Sequence, residues 1–134
     1  MGCERSAAPR RRLAAAGLLL TLALAGCGRS ADERQAIAMT GGEPSRGRDA
    51  IRRYGCASCH TVPGVDGARG QVGPSLAGIA DRVYLAGRLA NTPANLIRWT
   101  RTPQEIEPGN AMPDLGVTER DGRDIAAYLY TLRQ

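Results

Sequence analysis

Residues 55–60 read Gly55-Cys56-Ala57-Ser58-Cys59-His60, and the rest of the chain must fold around this stretch. Two thiols stand about one helical turn apart, and an imidazole follows the second thiol directly. The spacing is C-x-x-C-H, which predicts covalent attachment of one haem c. The thiols of Cys56 and Cys59 would add to vinyl groups on adjacent edges of the porphyrin. His60, the only histidine of the chain, would be the proximal iron ligand.

Three other interpretations of this motif compete with haem attachment. A thioredoxin-like C-x-x-C is expected in a βαβ context, whereas the flanking sequence is helical in pattern and rich in glycine. A zinc site would need a fourth ligand, and no further Cys or His occurs in residues 28–134. A structural disulfide between Cys56 and Cys59 is the third alternative, because exported proteins reach an oxidising compartment. An export signal together with the adjacent histidine favours haem over all three.

Length and charge restrict the remaining function classes. The 134 residues contain no Phe and one Trp, so a domain of roughly 90 residues would have a thin core unless a buried porphyrin added apolar mass. Residues 1–26 carry +3 of the formal charge of +5, and 14 arginines against 12 acidic residues carry the other +2. This near balance, without a basic stripe, argues against a nucleic-acid partner.

The N-terminus predicts export with a lipid anchor. Residues 1–26 combine a basic Arg10-Arg11-Arg12 with an apolar run over residues 13–25, too short for a membrane span of roughly 20 residues but typical of a signal peptide. Leu24-Ala25-Gly26-Cys27 resembles a bacterial lipobox, which implies lipidation of Cys27 and a location on the periplasmic face of a bacterial membrane. Cleavage after Ala25 is the alternative, and it would leave a soluble periplasmic protein.

Residues 27–43 are predicted to be a lipid-anchored flexible tether. After Cys27 they are small, polar and charged, and they end in Gly41-Gly42 without a sustained apolar period. As a flexible coil, residues 28–43 would reach roughly 20–25 Å root-mean-square. We expect such a tether to let a small domain swing between partners on one membrane.

Caps and apolar spacing predict about four helices and no strand, which gives an all-α fold class. The first helix, capped by Ser45, runs to Tyr54 and is ended by Gly55. The others are a short turn near Ser75–Arg82, a helix capped by Thr92 that begins at Pro93 and stops before Pro103, and a final helix capped by Thr118 with Ile125, Tyr128, Leu129 and Leu132 on one face.

A sixth iron ligand is predicted at Met112. After the leader only Met39, in the predicted tether, and Met112 remain, and Met112 lies in the turn-rich stretch Pro108-Gly109-Asn110-Ala111-Met112-Pro113. A thioether favours ferrous iron and would leave no open site for O₂ or peroxide. An ordinary methionine in a loop or in the core is the alternative.

From about Pro44 to Leu132 the chain resembles a class I cytochrome c and is similar to bacterial forms that accompany or are fused to haem–copper oxidases. The resemblance implies a cytochrome c domain over residues 44–134, with its helices wrapped around one covalent haem. It implies that the first and last helices cross, with Gly47 allowing close approach and Ile51 and Tyr128 packing nearby.

The same resemblance implies further haem contacts. Pro74 would offer its carbonyl to the Nδ1–H of His60, and Arg82, Tyr84 and Trp99 match positions that surround or hydrogen-bond the haem propionates. The alternative for Arg82 is a solvated arginine, and the alternative for Tyr84 and Trp99 is an ordinary core aromatic.

The predicted function is one-electron transfer between membrane-associated or periplasmic redox partners, such as a terminal oxidase or a dehydrogenase. The protein would be a carrier and not an enzyme, although it could be a subunit of an oxidoreductase complex. Two rival functions are a peroxidase or gas-binding haem protein, which would need an open iron site, and a structural subunit docked permanently in a membrane oxidoreductase.

Overall fold

Five α-helices are the main regular elements of the described chain, residues 28–134 of a computed structural model. The predicted signal peptide and Cys27 lie outside the described residues. In chain order the helices are α1 (Ala31–Thr40), α2 (Pro44–Arg53), α3 (Pro93–Arg101), α4 (Pro103–Ile106) and α5 (Glu119–Tyr130). Two short strands, β1 (Tyr84–Leu85) and β2 (Leu89–Ala90), and two 3₁₀ turns, Cys56–Ser58 and Ile79–Asp81, complete them. The all-α fold class is confirmed.

Helices α2 and α5 cross at Gly47, as the resemblance implied. A Cβ atom at Gly47 would lie 1.9 Å from the carbonyl oxygen of Asp124 and 2.9 Å from the Cβ of Tyr128. Only a residue without a side chain lets the two backbones approach this closely. Ile51 is 1% exposed and Tyr128 is 9% exposed, so both pack in the core next to the crossing.

Helix α5 forms the centre of the core. Its N-cap is Thr118, whose hydroxyl accepts from the N–H of Asp121 at 3.2 Å, as predicted. Every residue from Asp124 to Tyr130 is buried, which exceeds the single apolar face expected of a surface helix. Helices α1, α2 and α3 all pack against α5, so it is covered on several sides.

Three local predictions need correction. Helix α2 begins at Pro44 with Glu43 as N-cap, so Ser45 lies inside the first turn, because proline suits the first helical position. Over Ser75–Arg82 only the 3₁₀ turn forms, since Gly78 adopts a left-handed conformation (φ 63°). The strands β1 and β2 were not predicted, because two-residue strands are too short to show alternation; they pair antiparallel across a turn with positive φ at Ala86 and Gly87.

The flexible tether predicted over residues 27–43 is wrong for most of its length. Residues 31–40 form α1, which begins with a reciprocal capping box between Ser30 and Glu33 and ends at Gly41 in the left-handed conformation. Ala36 and Thr40 are buried in the domain. The buried face of α1 consists of small side chains, so residues 31–40 show little apolar periodicity in the sequence. None of the described helices is long and apolar enough to cross a membrane.

Candidate functional site

One cleft brings together all eight site residues predicted for the domain. Its volume is about 370 Å³, within the range of about 300–1,000 Å³ that is usual for small-molecule sites. The predicted residues that line it are Cys56, Cys59, His60, Pro74, Arg82, Tyr84, Trp99 and Met112. Much of the remaining wall is apolar and comes from the core, including Ile51, Leu76, Ile79, Leu85, Leu96, Ile125 and Leu129. The ninth predicted site residue, Cys27, is outside the described chain.

The two thiols are presented by a tight turn directly after α2. Gly55 adopts φ 72° and ends the helix, and the next three residues form a 3₁₀ turn in which the N–H of Cys59 donates to the carbonyl of Cys56 at 3.2 Å. Both thiols are free and half-buried. Burial raises the pKa of the Cys56 thiol above its ordinary value. A reactive redox cysteine needs the opposite shift, so this environment argues against a thioredoxin-like function.

His60 is held by a single, directional hydrogen bond. Its Nδ1 lies 2.7 Å from the carbonyl oxygen of Pro74, as the resemblance implied. Because a carbonyl only accepts, the proton of the neutral imidazole is on Nδ1, and Nε2 keeps its lone pair. Such a bond fixes the ring orientation and raises the basicity of a metal-binding histidine. His60 is therefore prepared to bind a metal through Nε2.

The loop that carries Pro74 is fixed against the motif by backbone contacts. The N–H of Gly73 donates to the carbonyl of Cys59 at 2.8 Å, and the N–H of Leu76 donates to the carbonyl of Thr61 at 2.9 Å. A Cβ at Gly70 would lie 2.5 Å from the carbonyl carbon of Cys59, so the two backbone segments are in direct contact at that point. These contacts place the Pro74 carbonyl without using any side chain.

Met112 is half-buried in the cleft wall at the end of a loop that two amides hold in place. The side-chain amide of Gln104 donates to the carbonyls of Asn110 (2.9 Å) and Met112 (2.7 Å) and accepts from the N–H of Gly109 (2.9 Å). The side chain of Asn110 donates to the carbonyl of Glu107 and accepts from the N–H of Met112, both at 2.7 Å. Gln104 and Asn110 were not among the predicted site residues; the signal for them was a pair of amides on either side of a Pro-Gly turn.

A second amide network shapes the part of the cleft that contains Arg82. The amide of Asn91 donates to the carbonyls of Ile79 and Arg82, both at 2.8 Å, and accepts from the hydroxyl of Tyr130 at 2.9 Å. The guanidinium of Arg82 donates to the carbonyls of Ser75 and Ala77. Asn91 was also not predicted as a site residue, although an amide directly before Thr92, the N-cap of α3, indicates loop structure.

The two predicted aromatic contacts differ in exposure. Trp99, on α3, is half-buried in the cleft wall, whereas Tyr84, on β1, is 61% exposed at the cleft. Both are brought to the predicted site, and neither is part of the closed core.

The other interpretations of the motif find little support in the described part of the chain. The only strands of residues 28–134 form one antiparallel hairpin, so the βαβ context of a thioredoxin-like site is absent there. Within the same residues, no three side chains of His, Cys, Asp and Glu meet in a way that could hold a metal ion. An imidazole with a free Nε2, a thioether and two thiols on one apolar cleft instead form a donor set that fits haem iron and its porphyrin.

Comparison with known proteins agrees with this donor set. The family model for cytochrome c matches residues 44–133. Cytochrome c oxidase subunit 2 from Bacillus sp. (strain PS3) is 34% identical over 89 residues, and its namesake from Bacillus subtilis (strain 168) is 29% identical over 87. Each match covers 63% of this chain but only 25% and 24% of the relative, so the chain corresponds to about a quarter of their length.

No solved structure matches the chain significantly. The family assignment therefore depends on the sequence model, and the cleft agrees with it independently: the C-x-x-C-H turn, the Pro74 carbonyl on His60 and the thioether of Met112 all meet at one apolar surface. The chain belongs to the cytochrome c family.

Proposed function

We propose that this protein is a one-electron carrier with a single covalent haem c, ligated by His60 and Met112. The observation that carries the proposal is the convergence of Cys56, Cys59, His60 and Met112 on one apolar cleft. When bound, the haem would supply one-electron Fe(II)/Fe(III) chemistry. Every other part of the function comes from this chain's own residues, which bind the haem, orient its ligands and exclude water from it.

The two residues proposed to hold the iron have separate supports. The Pro74 carbonyl keeps the Nδ1 proton of His60 in place and leaves Nε2 for iron. The Gln104 and Asn110 amides hold the carbonyl and the N–H of Met112, so the backbone of this residue is held in place by the chain itself. A ligand set that does not move between redox states keeps electron transfer fast, because little has to reorganise. A filled sixth position also argues against a peroxidase or gas-binding function.

Arg82, Tyr84 and Trp99 are proposed to contact the haem propionates. Arg82 lines the cleft while its guanidinium is anchored on the carbonyls of Ser75 and Ala77, so its charge is held at the cleft wall. Guanidinium N–H groups form strong, charge-assisted hydrogen bonds to carboxylates. A propionate at this position would gain both a hydrogen bond and charge neutralisation.

A terminal oxidase is the proposed partner class. Relatives named as oxidase subunits carry a segment similar to 63% of this chain, which supports a place for this domain in the delivery of electrons to such a complex. A dehydrogenase would be the natural donor at the other end. The protein itself makes and breaks no bond in this scheme, whether it diffuses as a carrier or stays with a complex as a subunit.

The proposed location is the periplasmic face of a bacterial membrane, with a lipid on Cys27. The support is the Leu24-Ala25-Gly26-Cys27 motif after a basic and apolar leader. Cleavage after Ala25 to give a soluble periplasmic protein is the competing outcome.

One pair of measurements tests the central proposal. Acid–acetone extraction should leave the colour with the polypeptide, and the pyridine haemochrome should have the spectrum of a haem with two thioether bonds. A potentiometric titration should then follow a single one-electron step. Haem that extracts freely from the wild type, or a haemochrome that shows unmodified vinyl groups, would overturn the proposal.

A further inference from the structure

Helix α1 is an integral part of the domain at its C-terminal end. A Cβ at Gly42 would lie 2.1 Å from the carbonyl oxygen of Arg123, so the chain after α1 packs directly on the backbone of α5. The N–H of Glu43 donates to the buried Asp124 carboxylate at 2.7 Å. Within α1, Ala36 is 1% exposed and Thr40 is 3% exposed. These contacts hold the C-terminal end of α1 directly against α5.

The N-terminal end of α1 is tied to the opposite end of α5. Arg133, just after α5, pairs with Asp32 in the first turn of α1 at 3.2 Å and with Asp81 at 2.8 Å. The N–H of Gln134 donates to the same Asp81 carboxylate at 2.9 Å. Helix α1 therefore runs antiparallel to α5, and its first turn lies beside the C-terminus and the 3₁₀ turn that contains Asp81.

Very little chain separates this end from the proposed anchor. Residues 28–30 span at most about 11 Å when fully extended, compared with the roughly 20–25 Å root-mean-square reach of a flexible 16-residue tether. Ser30 is already fixed, because its hydroxyl accepts from the N–H of Glu33 and its own N–H donates to the Glu33 carboxylate.

We propose that α1 is a rigid mount which holds the domain against the lipid bilayer in one orientation, with the surface around Asp32, Asp81 and Arg133 facing the lipid. The inference rests on the proposed lipidation of Cys27. Ile79 and Arg82 flank Asp81 and line the cleft, so this side of the haem site lies nearest the membrane. Partners must then approach the domain at a set height above the bilayer, and the domain does not swing between them.

The three charges that define this surface are already paired with one another, because Arg133 is shared between the carboxylates of Asp32 and Asp81. Electrostatic attraction to anionic headgroups needs free basic side chains and is weakened by salt. We therefore expect the acyl chains to provide most of the attachment, and membrane binding to depend only weakly on ionic strength.

Hydrogen exchange tests the docking of α1 without any lipid. In the soluble Cys27→Ser holoprotein, the amides from Ile37 to Gly41 should exchange as slowly as those of α2. Ala36→Asp, which buries a charge against the core, should make them exchange as fast as an unfolded chain. Fast exchange in the protein with Ala36 intact would overturn the inference.

Quenching of a headgroup fluorophore by the haem tests the mount on vesicles of neutral phosphatidylcholine. The lipidated full chain should quench strongly, and a flexible 15-residue Gly-Ser insertion between Gly28 and Arg29, adding roughly 20 Å of reach, should reduce the quenching several-fold. The same insertion between Asp66 and Gly67, in an exposed turn that is not part of this surface, is the matched control and should leave the quenching unchanged. Equal quenching with and without the first insertion would overturn the mount alone, whereas failure of the wild type to bind vesicles would overturn the anchor and the mount together.

Discussion

Gly73 lies so close to the ring of His60 that a Cβ at this position would be 2.3 Å from Cε1 and 2.7 Å from Nδ1. The absence of a side chain at residue 73 is therefore part of the histidine site. It lets the loop pass over the imidazole, so that the next residue, Pro74, can accept the Nδ1 proton. The orientation of the His60 ring thus depends on a glycine that has no side chain to make contacts of its own.

Gly73→Ala should push the His60 ring away from Pro74. Overpacking of this kind costs about 1–3 kcal/mol, and we expect the free energy of unfolding of the holoprotein to fall by that amount in a denaturant titration. The absorption spectrum should also gain high-spin character as the histidine–iron bond is strained. Gln71→Ala, an exposed neighbour in the same loop, is the control and should change neither quantity; a fully low-spin, equally stable Gly73→Ala protein would contradict the packing argument.

Met112→Ala should open the sixth position of the iron. The ferrous wild type should bind CO slowly or not at all near neutral pH, and its ferric form should show the weak near-infrared band of His/Met ligation. The alanine variant should lose this band, bind CO readily and have a lower midpoint potential, because a soft ligand that favours ferrous iron has been removed. The fold should survive, since His60 and the thioethers still attach the haem. A wild type that is already high-spin and binds CO would instead favour the gas-binding or peroxidase function.

Gln104→Ala should loosen Met112 without touching the iron. The variant leaves the carbonyls of Asn110 and Met112 without their donor, and a lost buried hydrogen-bond partner costs about 1–3 kcal/mol. Added imidazole should displace the methionine several-fold more easily, which an absorbance titration measures. Glu105→Ala removes an exposed neighbour and is the control. Unchanged imidazole binding in Gln104→Ala would mean that the loop does not position Met112.

Cys27→Ser should release the protein from membranes. The wild type should incorporate a fatty-acid analogue and pellet with the membrane fraction, and the variant should do neither, because the sulfur that carries the lipid is missing. Cys3→Ser, in the predicted signal peptide, is the matched control and should behave as the wild type. A mature protein that begins at Gly26 and carries no lipid would establish the alternative cleavage.

Asp124→Asn should remove a stabilising charge from the core. Burial pushes the pKa of Asp124 upward, but the Arg46 guanidinium and the N–H of Glu43 outweigh it, so the pKa lies below its ordinary value. A lowered pKa contributes stability that is full above the unfolded-state pKa of about 3.9 and is lost as the pH falls through the folded value. At pH 7 the variant should be less stable by about 1–3 kcal/mol.

The pH dependence of this loss in unfolding free energy tests the role of the Asp124 charge more directly. The gap in unfolding free energy between wild type and Asp124→Asn should be constant near neutral pH and shrink below about pH 4, as the wild-type carboxylate gains its proton. Asp49→Asn, at an exposed carboxylate, is the control and should show a much smaller gap. A gap that persists into strong acid would assign the effect to packing and not to charge.

Local patterns were enough for much of the fold and the site. The C-x-x-C-H turn, the Thr118 cap and the Thr92-Pro93 helix start act over a few residues, so neighbouring side chains and backbone groups decide them. Helix α1 was missed for a related reason: Ser30 and Glu33 form a capping box that the sequence displays, but the helix buries only a stripe of small side chains and lacks apolar periodicity.

The residues alone establish which chemical groups are available over positions 28–134: two thiols, one imidazole and the two thioethers of Met39 and Met112. The resemblance to class I cytochromes added the expectation that Pro74 and Gly47 take part. The folded chain adds that Gln104, Asn110 and Asn91 hold the loops around the cleft and that α1 packs on α5. These contacts join segments that are distant in the chain. Hydrogen bonds to backbone carbonyls and close backbone approaches need no periodic pattern of side chains, so the sequence does not display them.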